Sequence, residues 1–208
     1  IAYTNESITN SKTINKYLAK FKWLSLKEKG GGVKGIYLSG YDFTNEKKIQ
    51  SISTILSETR VNTVVLDVKT DNGHILYNSQ LPEVDELNNA RVKYDQSVLN
   101  EFKDEFNLYL IGRVVAFQDP SFAKKFENSS VIDPNTNSPY VQSGQYFLDP
   151  GDEKARNYVL NIAIEACSLG FDEIQFDYIR YPDTNTKGLI YEDENITKNR
   201  IENINSFL

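Results

Sequence analysis

The fold is decided by the stretch Gly170-Phe171-Asp172-Glu173-Ile174-Gln175-Phe176-Asp177-Tyr178-Ile179-Arg180-Tyr181-Pro182. It opens with a glycine of the kind that ends helices, and its short apolar and aromatic run predicts a buried strand. Asp177, Tyr178 and Arg180 follow at the point where that strand should end. Because α/β enzymes keep their chemistry at the carboxyl ends of strands, Asp177 is the first candidate for a catalytic residue.

Composition and charge limit the classes of protein to consider. The chain has 208 residues, of which 39% are hydrophobic and 25% charged, which indicates one domain with a real core. Its net charge of -6 argues against nucleic acid or an anionic membrane surface as a partner. No apolar run approaches the roughly 18 residues of a membrane-spanning helix. The chain begins at Ile1 and contains no Met, which fits a processed protein whose signal peptide has been removed.

The chain divides into two parts at a run of glycines. Residues 1–32 carry apolar positions at helical spacing and end in Gly30-Gly31-Gly32, so we interpret them as an N-terminal helix and a Gly-rich linker. Residues 33–208 hold the remaining apolar patterns, and we interpret them as the main domain.

Residues 33–208 alternate between strand and helix patterns four times. Strands are predicted at Val33–Leu38, Val61–Lys69 and Leu108–Phe117 and in the stretch before Asp177, each followed by residues at helical spacing. This alternation predicts parallel strands joined by right-handed crossovers. Four βα units are half of an eight-fold TIM barrel, which usually takes about 250 residues. We therefore predict an α/β fold, a (β/α) barrel of TIM type with only about its first four units in this chain. The alternative is a small open sheet, although no glycine fingerprint opens either early helix.

Three local features are also predicted. Asp149 fits the N-cap of a helix that ends at Gly170. Ile75 and Tyr77 alternate after a turn, which indicates a small hairpin. The loop from residue 118 to 146 is long and rich in Asn, Ser and Pro, and loops of that length are often binding loops.

Charged and polar residues near the strand ends form the candidate site. Asp67 and Lys69 share one face of the second strand, Arg113 is the charge of the third, and Gln175 and Asp177 lie on the fourth. A carboxylate flanked by Lys and Arg stays ionised, because opposite charge lowers its pKa. Such a group suits a nucleophile or an electrostatic stabiliser better than a general acid.

Two carboxyl groups are needed for glycoside hydrolysis, about 5 Å apart for retention and roughly 6.5–9.5 Å apart for inversion. Asp177 is the first candidate catalytic residue and Asp67 the second, although Asp67 also fits a buried salt bridge that only supports the fold. Tyr178 fits either the core or a platform for a sugar ring, and Arg180 fits either a salt bridge or a substrate contact. The candidate substrate-binding residues are Lys69, Asp71, Arg113, Gln175, Tyr178 and Arg180.

No metal or cofactor site is signalled. His74 is the only histidine, and no HExxH pattern occurs, so a zinc site is not expected. A hard-cation site formed by Asp67, Asp71 and Asp177 remains an alternative without a motif to support it. We predict no cofactor and no metal.

Four segments in order carry a resemblance to a known family. Together they resemble DUF4015, a family of glycoside hydrolase-like proteins of unknown function whose members are similar to TIM-barrel glycosidases. The resemblance covers roughly residues 33–208. The segments are Val33-Lys34-Gly35-Ile36-Tyr37-Leu38-Ser39-Gly40, Val64-Val65-Leu66-Asp67-Val68-Lys69, Gly112-Arg113-Val114-Val115-Ala116-Phe117-Gln118-Asp119-Pro120 and the opening stretch, residues 170–182.

The resemblance implies a carbohydrate substrate and gives Asp177 the role of nucleophile. The family is mostly bacterial and often exported, which implies an extracellular or cell-envelope location. The sequence departs from the family by ending after the helix that follows the fourth strand, whereas similar barrels place the general acid on a later strand. We therefore expect a chain that lacks its C-terminal half, or one that pairs with another half as a homo-oligomer.

The leading hypothesis is a glycoside hydrolase in which Asp177 is the nucleophile or stabiliser. In this hypothesis Asp67, Lys69, Arg113 and Arg180 form a charged floor that orients a sugar. One alternative is a non-catalytic glycan-binding or cell-envelope module with a barrel fold, and another is a structural half of an assembly.

Overall fold

The computed structural model describes residues 32–183, 188–191 and 196–208, without the side chains of residues 196–199. The predicted N-terminal helix lies outside the described residues. The strands are β1 (Gly35–Leu38), β2 (Thr63–Lys69), β3 (Tyr109–Val115), β4 (Ile132–Asp133), β5 (Ser138–Pro139), β6 (Val141–Gln142), β7 (Gln145–Tyr146) and β8 (Glu173–Asp177). The helices are α1 (Glu46–Glu58), α2 (Pro82–Leu87), α3 (Gln96–Glu105), α4 (Pro120–Lys125), α5 (Glu153–Leu169) and α6 (Ile196–Phe207), with 3-10 turns at Gly40–Thr44 and Glu127–Ser129.

A four-stranded parallel sheet organises the molecule. Its order is β1-β2-β3-β8, so each strand pairs with the strand of this sheet that follows it in the sequence. The four predicted strands and their parallel pairing are confirmed. A parallel sheet with helices between its strands places the protein in the α/β class.

The two faces of the sheet differ in what covers them. Val64, Leu66 and Val68 of β2 are fully buried in one apolar cluster with residues of α1, α3 and α5. The opposite face holds polar residues, among them Tyr37, whose exposed fraction is 55%, and the exposed Gln175. The polar residues of the candidate site therefore lie on the sheet face that these helices leave open.

The start of α5 differs from the prediction. Asp152 is its N-cap, with Oδ1 accepting a hydrogen bond from the Ala155 N–H at 2.6 Å, so the prediction of Asp149 is wrong. The Asp149 carboxylate instead accepts a hydrogen bond from the Gly151 N–H at 2.8 Å and closes a turn just before the helix. The predicted end is confirmed, because Gly170 adopts the left-handed conformation with φ of 113°.

The predicted hairpin after β2 is wrong in detail. The turn itself is present, since the Gly73 N–H donates to the Thr70 carbonyl at 3.0 Å. Ile75, however, makes isolated bridges instead of a second strand, and both Ile75 and Tyr77 are fully buried. Ile75 and Tyr77 alternate because this segment runs through the core, and not because it forms a hairpin strand. The Tyr77 hydroxyl there donates to the Glu165 carboxylate of α5 at 2.7 Å.

The long loop between β3 and α5 contains secondary structure of its own. It contains α4 and two small hairpins, β4–β5 and β6–β7. A bridge between Gln118 and Phe147 ties its two ends together. Within the part of the chain that the structure describes, no helix is both long and apolar enough to cross a membrane.

Candidate functional site

Arg113 joins two carboxylates at the carboxyl end of the sheet. Its position on β3 is in register with Asp67 on β2, and its Nη1 donates to Asp67 Oδ1 at 2.8 Å. Its Nε and Nη2 both lie 2.8 Å from Asp177 Oδ2 at the end of β8. We call these three residues the Asp67–Arg113–Asp177 cluster. The three residues were predicted to lie at or near strand ends, and the structure places them there.

Exposure rises in steps across this cluster. The side chain of Asp67 is 5% exposed, that of Arg113 17% and that of Asp177 37%. Burial lowers the pKa of Arg113, but its hydrogen bonds with the two carboxylates outweigh burial and raise that pKa. The guanidinium therefore stays charged, and Asp177 is the carboxylate that a ligand can approach.

Tyr37 bonds the carboxylate oxygen of Asp67 that Arg113 does not contact. Its hydroxyl donates to Asp67 Oδ2 at 2.6 Å, and the Tyr94 hydroxyl donates to the Asp67 carbonyl at 2.8 Å. Burial and the Asp67 carboxylate raise the pKa of Tyr37 to about 12, so this hydroxyl remains a donor. Sequence reasoning missed Tyr37. The available signal was its odd-numbered position on the first strand, one residue before that strand ends.

The backbone turns sharply just after Asp177. Tyr178 has φ of 53°, a left-handed conformation that bulky residues rarely adopt. Its N–H donates to Asp177 Oδ1 at 2.8 Å, so the turn itself fixes the second carboxylate oxygen. Outliers of this kind are held by their surroundings and cluster at functional sites.

Lys69 does not belong to this cluster, contrary to the prediction. The pairing of β2 with β3 is irregular between Asp67 and Lys69, which breaks the expected alternation. The Lys69 ammonium lies 3.0 Å from Asp119 Oδ2 and donates to the Val115 carbonyl at 2.8 Å. Both side chains of this pair are 0% exposed, so a direct substrate contact does not fit Lys69. Burial lowers the pKa of Lys69, and the Asp119 carboxylate opposes that effect.

The other predicted contacts lie around the cluster. Gln175 is exposed and in register with Arg113. Arg180 is exposed, and its guanidinium carbon lies 5.3 Å from the centre of the Tyr178 ring and 5.9 Å from that of Phe147. No salt bridge of Arg180 occurs among the described residues, so the salt-bridge alternative is not supported there.

A cleft of about 290 Å³ opens beside the cluster, and we call it the cluster cleft. In the described ranges no group of three or more His, Cys, Asp and Glu side chains is placed to hold a metal ion. Asp67, Asp71 and Asp177 are therefore not gathered as the cation alternative requires. The cleft is lined by Tyr37, Ser39, Tyr41, Asp67, Thr70, Asp71, Asn72 and Arg113.

Comparison with known families assigns the chain. The model of family DUF4015, described as "Putative glycosyl hydrolase domain", matches residues 35–208. This chain belongs to the DUF4015 family. The match confirms the resemblance carried by the four sequence segments. No curated protein matches the sequence.

Solved structures agree with this assignment. A hypothetical protein from Ruminiclostridium thermocellum is 32% identical with a TM-score of 0.75, and the match covers 83% of this chain and 88% of that one. An α-galactosidase from Lactobacillus brevis is 12% identical with a TM-score of 0.53, covering 93% of this chain and 27% of that one. A maltogenic α-amylase from Thermotoga neapolitana is 16% identical with a TM-score of 0.51, covering 74% and 40% respectively. The two enzymes share the fold only, and this chain spans less than half of each.

Proposed function

We propose that this DUF4015 chain is part of a glycoside hydrolase in which Asp177 is the nucleophile or the electrostatic stabiliser. The observation that carries the proposal is the position of Asp177 at the carboxyl end of β8. There its carboxylate is both bonded by Arg113 and 37% exposed. Membership of the family supports the reaction class.

The cluster supplies a carboxylate held in a fixed orientation, which this chemistry needs. Glycoside hydrolysis passes through an oxocarbenium-like transition state, which a nearby carboxylate stabilises or attacks. The Arg113 guanidinium donates to one oxygen of Asp177, and the Tyr178 N–H donates to the other. The carboxylate is thereby held in one orientation before a sugar arrives.

Asp67 serves the same reaction as a positioning residue in this proposal. Its side chain is only 5% exposed, and Tyr37 and Arg113 each bond one of its oxygens. A carboxylate so enclosed is poorly placed to protonate a leaving group, which a general acid must do. The prediction of Asp67 as a second catalytic residue is therefore replaced by a role in holding Arg113.

The general acid then comes from another part of the barrel. The parallel order β1-β2-β3-β8 fits the first half of a TIM barrel, whose remaining strands or a second copy would close it. An extracellular or cell-envelope location follows from the family resemblance and forms part of the same proposal.

A test should not depend on that acid. In 2,4-dinitrophenyl glycosides the dinitrophenolate leaving group departs without protonation. Their hydrolysis therefore isolates the role of the nucleophile. A panel of such glycosides with different sugars is assayed with the wild type and Asp177→Asn. We expect the substitution to lower turnover of the accepted glycoside by about 10³-fold or more, as loss of a nucleophile does.

The matched control is Asp104→Asn, which removes the same charge from an exposed position on α3. It should leave turnover within experimental error. Equal turnover by Asp177→Asn and the wild type would reject the catalytic role of Asp177.

A non-catalytic glycan-binding module is the second candidate. Two observations favour it: Arg113 engages both carboxylates of the cluster, and Tyr37 and Tyr41 line the polar cleft beside them. Saccharide binding without turnover of any dinitrophenyl glycoside would support this candidate.

A further inference from the structure

A second cleft adjoins the cluster cleft, and the function proposed above does not use it. It has a volume of about 330 Å³ and lies between the long loop and the turn after β8. We propose that this loop cleft is a subsite for a further sugar unit, so that the protein takes a neutral oligosaccharide and not a single sugar. The inference rests on the proposed carbohydrate ligand, although not on its hydrolysis. The residues that line the loop cleft include Gln118, Gln142, Gln145, Phe147, Tyr178 and Arg180.

The two clefts are adjacent. Asp71 lines both of them, and Tyr178 of the loop cleft directly follows Asp177 of the cluster. Each volume lies near the lower end of the range of about 300–1,000 Å³ that is usual for small-molecule sites. A chain of several sugar rings therefore needs both clefts, and it would cross from one to the other beside the reacting carboxylate.

Amide side chains form one wall of the loop cleft. Gln118 donates to the Gln145 side-chain oxygen at 3.0 Å, and Gln142 donates to the Asp183 carbonyl at 2.9 Å. These bonds leave the Gln145 amide nitrogen as a donor and the Gln142 amide oxygen as an acceptor without partners among the described residues. Donors and acceptors placed in this way suit hydroxyl groups, which can both donate and accept.

Arg180 and Tyr178 form another wall of the loop cleft. The Phe147 ring is buried at 3% exposure, and the Arg180 guanidinium lies over both this ring and that of Tyr178. The left-handed backbone of Tyr178 fixes the start of this wall. The Arg180 guanidinium, which is exposed, therefore presents N–H donors to the cleft, and these suit the hydroxyl groups of a sugar.

The charges in the loop cleft favour a neutral sugar. Its lining includes the cation Arg180 and the two carboxylates of Asp71 and Asp183, so the formal balance is negative. A sugar that carries a carboxylate would meet this excess negative charge, which disfavours it. Neutral hexose or pentose units are therefore favoured over acidic ones.

The experiment measures how affinity depends on chain length. Isothermal titration is carried out with malto-, cello-, xylo- and manno-oligosaccharides of two to five units, and with oligogalacturonides as the charged comparison. The quantity of interest is the ratio of association constants for the tetramer and the dimer of one series. For the accepted neutral series we expect a ratio of about ten or more, the equivalent of one added set of ligand contacts.

Substitutions locate the origin of that ratio. In Gln145→Ala and Arg180→Ala the ratio should fall towards one. In Gln50→Ala, an exposed glutamine of α1, it should equal that of the wild type. Thermal melts of all variants check that each protein is folded.

Each outcome decides the inference. A ratio near one for every neutral series, or one unaffected by Gln145→Ala and Arg180→Ala, overturns the subsite. A larger ratio for the oligogalacturonides overturns its neutral specificity. Failure of the proposed hydrolysis is recognised separately, because dinitrophenyl glycoside turnover then stays absent while the length-dependent gain in affinity persists.

Discussion

Two basic side chains on neighbouring strands pair with carboxylates but differ in their exposure to solvent. Lys69 pairs with Asp119, and Arg113 pairs with both Asp67 and Asp177. The Lys69–Asp119 pair is 0% exposed on both sides, and backbone carbonyls take the remaining donors of the ammonium. The Asp67–Arg113–Asp177 cluster instead opens stepwise until Asp177 is 37% exposed.

The difference shows how burial separates structural charges from functional ones. A sealed pair can only hold its surroundings together, since no ligand reaches it. Asp119 is also the N-cap of α4, with Oδ1 accepting from the Phe122 N–H at 2.9 Å, so the pair anchors the start of the long loop. The cluster has one enclosed carboxylate, Asp67, and one open carboxylate, Asp177, and the proposed function assigns support to the first and chemistry to the second.

Breaking the sealed pair should have the largest effect on stability. Lys69→Met leaves the Asp119 charge buried without its cation, and we expect a loss of about 3–5 kcal/mol in the free energy of unfolding. Urea denaturation measures it. Adding Asp119→Asn should restore part of the loss, because the unpaired charge is then gone. A loss below about 1 kcal/mol for the single variant would show that the pair is not the anchor.

Weakening the enclosed end of the cluster should have an intermediate effect. Tyr37→Phe removes the 2.6 Å bond to Asp67, and we expect a loss of about 1–2 kcal/mol in urea denaturation near pH 8. The pKa of Tyr37 is raised from 10.0 to about 12 in the folded protein. The stability linked to this proton is therefore complete below pH 10 and is lost as the pH rises through about 12.

The alkaline part of that prediction has its own control. The difference in stability between the wild type and Tyr37→Phe should shrink between pH 10 and pH 12. A constant difference over this range would mean that the Tyr37 proton is not linked to folding.

Removing charge from the open end of the cluster should have little effect on stability. We expect Asp177→Asn to change the free energy of unfolding by less than about 1 kcal/mol, because exposed ion pairs contribute little. Asp67→Asn is the matched change at the enclosed end and should cost more. Equal costs for the two variants, measured by urea denaturation, would remove the distinction between support and chemistry.

The smallest expected effect lies at the rim of the cluster cleft. A hydrogen bond of 3.1 Å joins the Tyr41 hydroxyl to Nδ1 of His74, and burial, followed by the Arg91 charge, lowers the pKa of His74 below 6.5. The unfolded chain therefore takes up the proton first, and stability falls as the pH drops from about 6.5 through the lowered pKa. We expect Tm to fall by no more than about 2 °C over this range in the wild type. His74→Gln should lack this loss, and the same fall in that variant would assign it to other groups.

The sheet was predictable because its signals are local. Each of the four strands carries apolar residues at alternate positions, and the helices between them leave parallel pairing as the simple connection. The start of α5 was not predictable with the same certainty. Asp149 and Asp152 both suit an N-cap, and only the turn at residues 149–151 decides between them.

The candidate site was predictable only where it follows strand ends. Asp67, Arg113 and Asp177 were found in this way. The irregular pairing after Asp67 has no sequence signature, so Lys69 was assigned to the wrong face. Asp119, the partner of Lys69, lies 50 residues away in the sequence, so the spacing of residues within a strand could not reveal this pair.

The loop cleft was foreseen only in outline. The length and composition of residues 118–146 predicted a binding loop, and the structure shows that the loop folds back so that Gln145 meets Gln118. Which side chains of a long loop converge depends on its own hairpins, and these are too short to leave a periodic pattern.

The left-handed conformation of Tyr178 also bears on how this protein responds to selection for heat resistance. Glycine adopts that conformation without the cost of about 1–3 kcal/mol that a bulky residue carries. Tyr178→Gly would therefore relax the backbone while deleting a ring from the proposed subsite. Evolution towards durability and evolution towards ligand affinity would then pull this one position in opposite directions, a stability–function trade-off confined to a single residue.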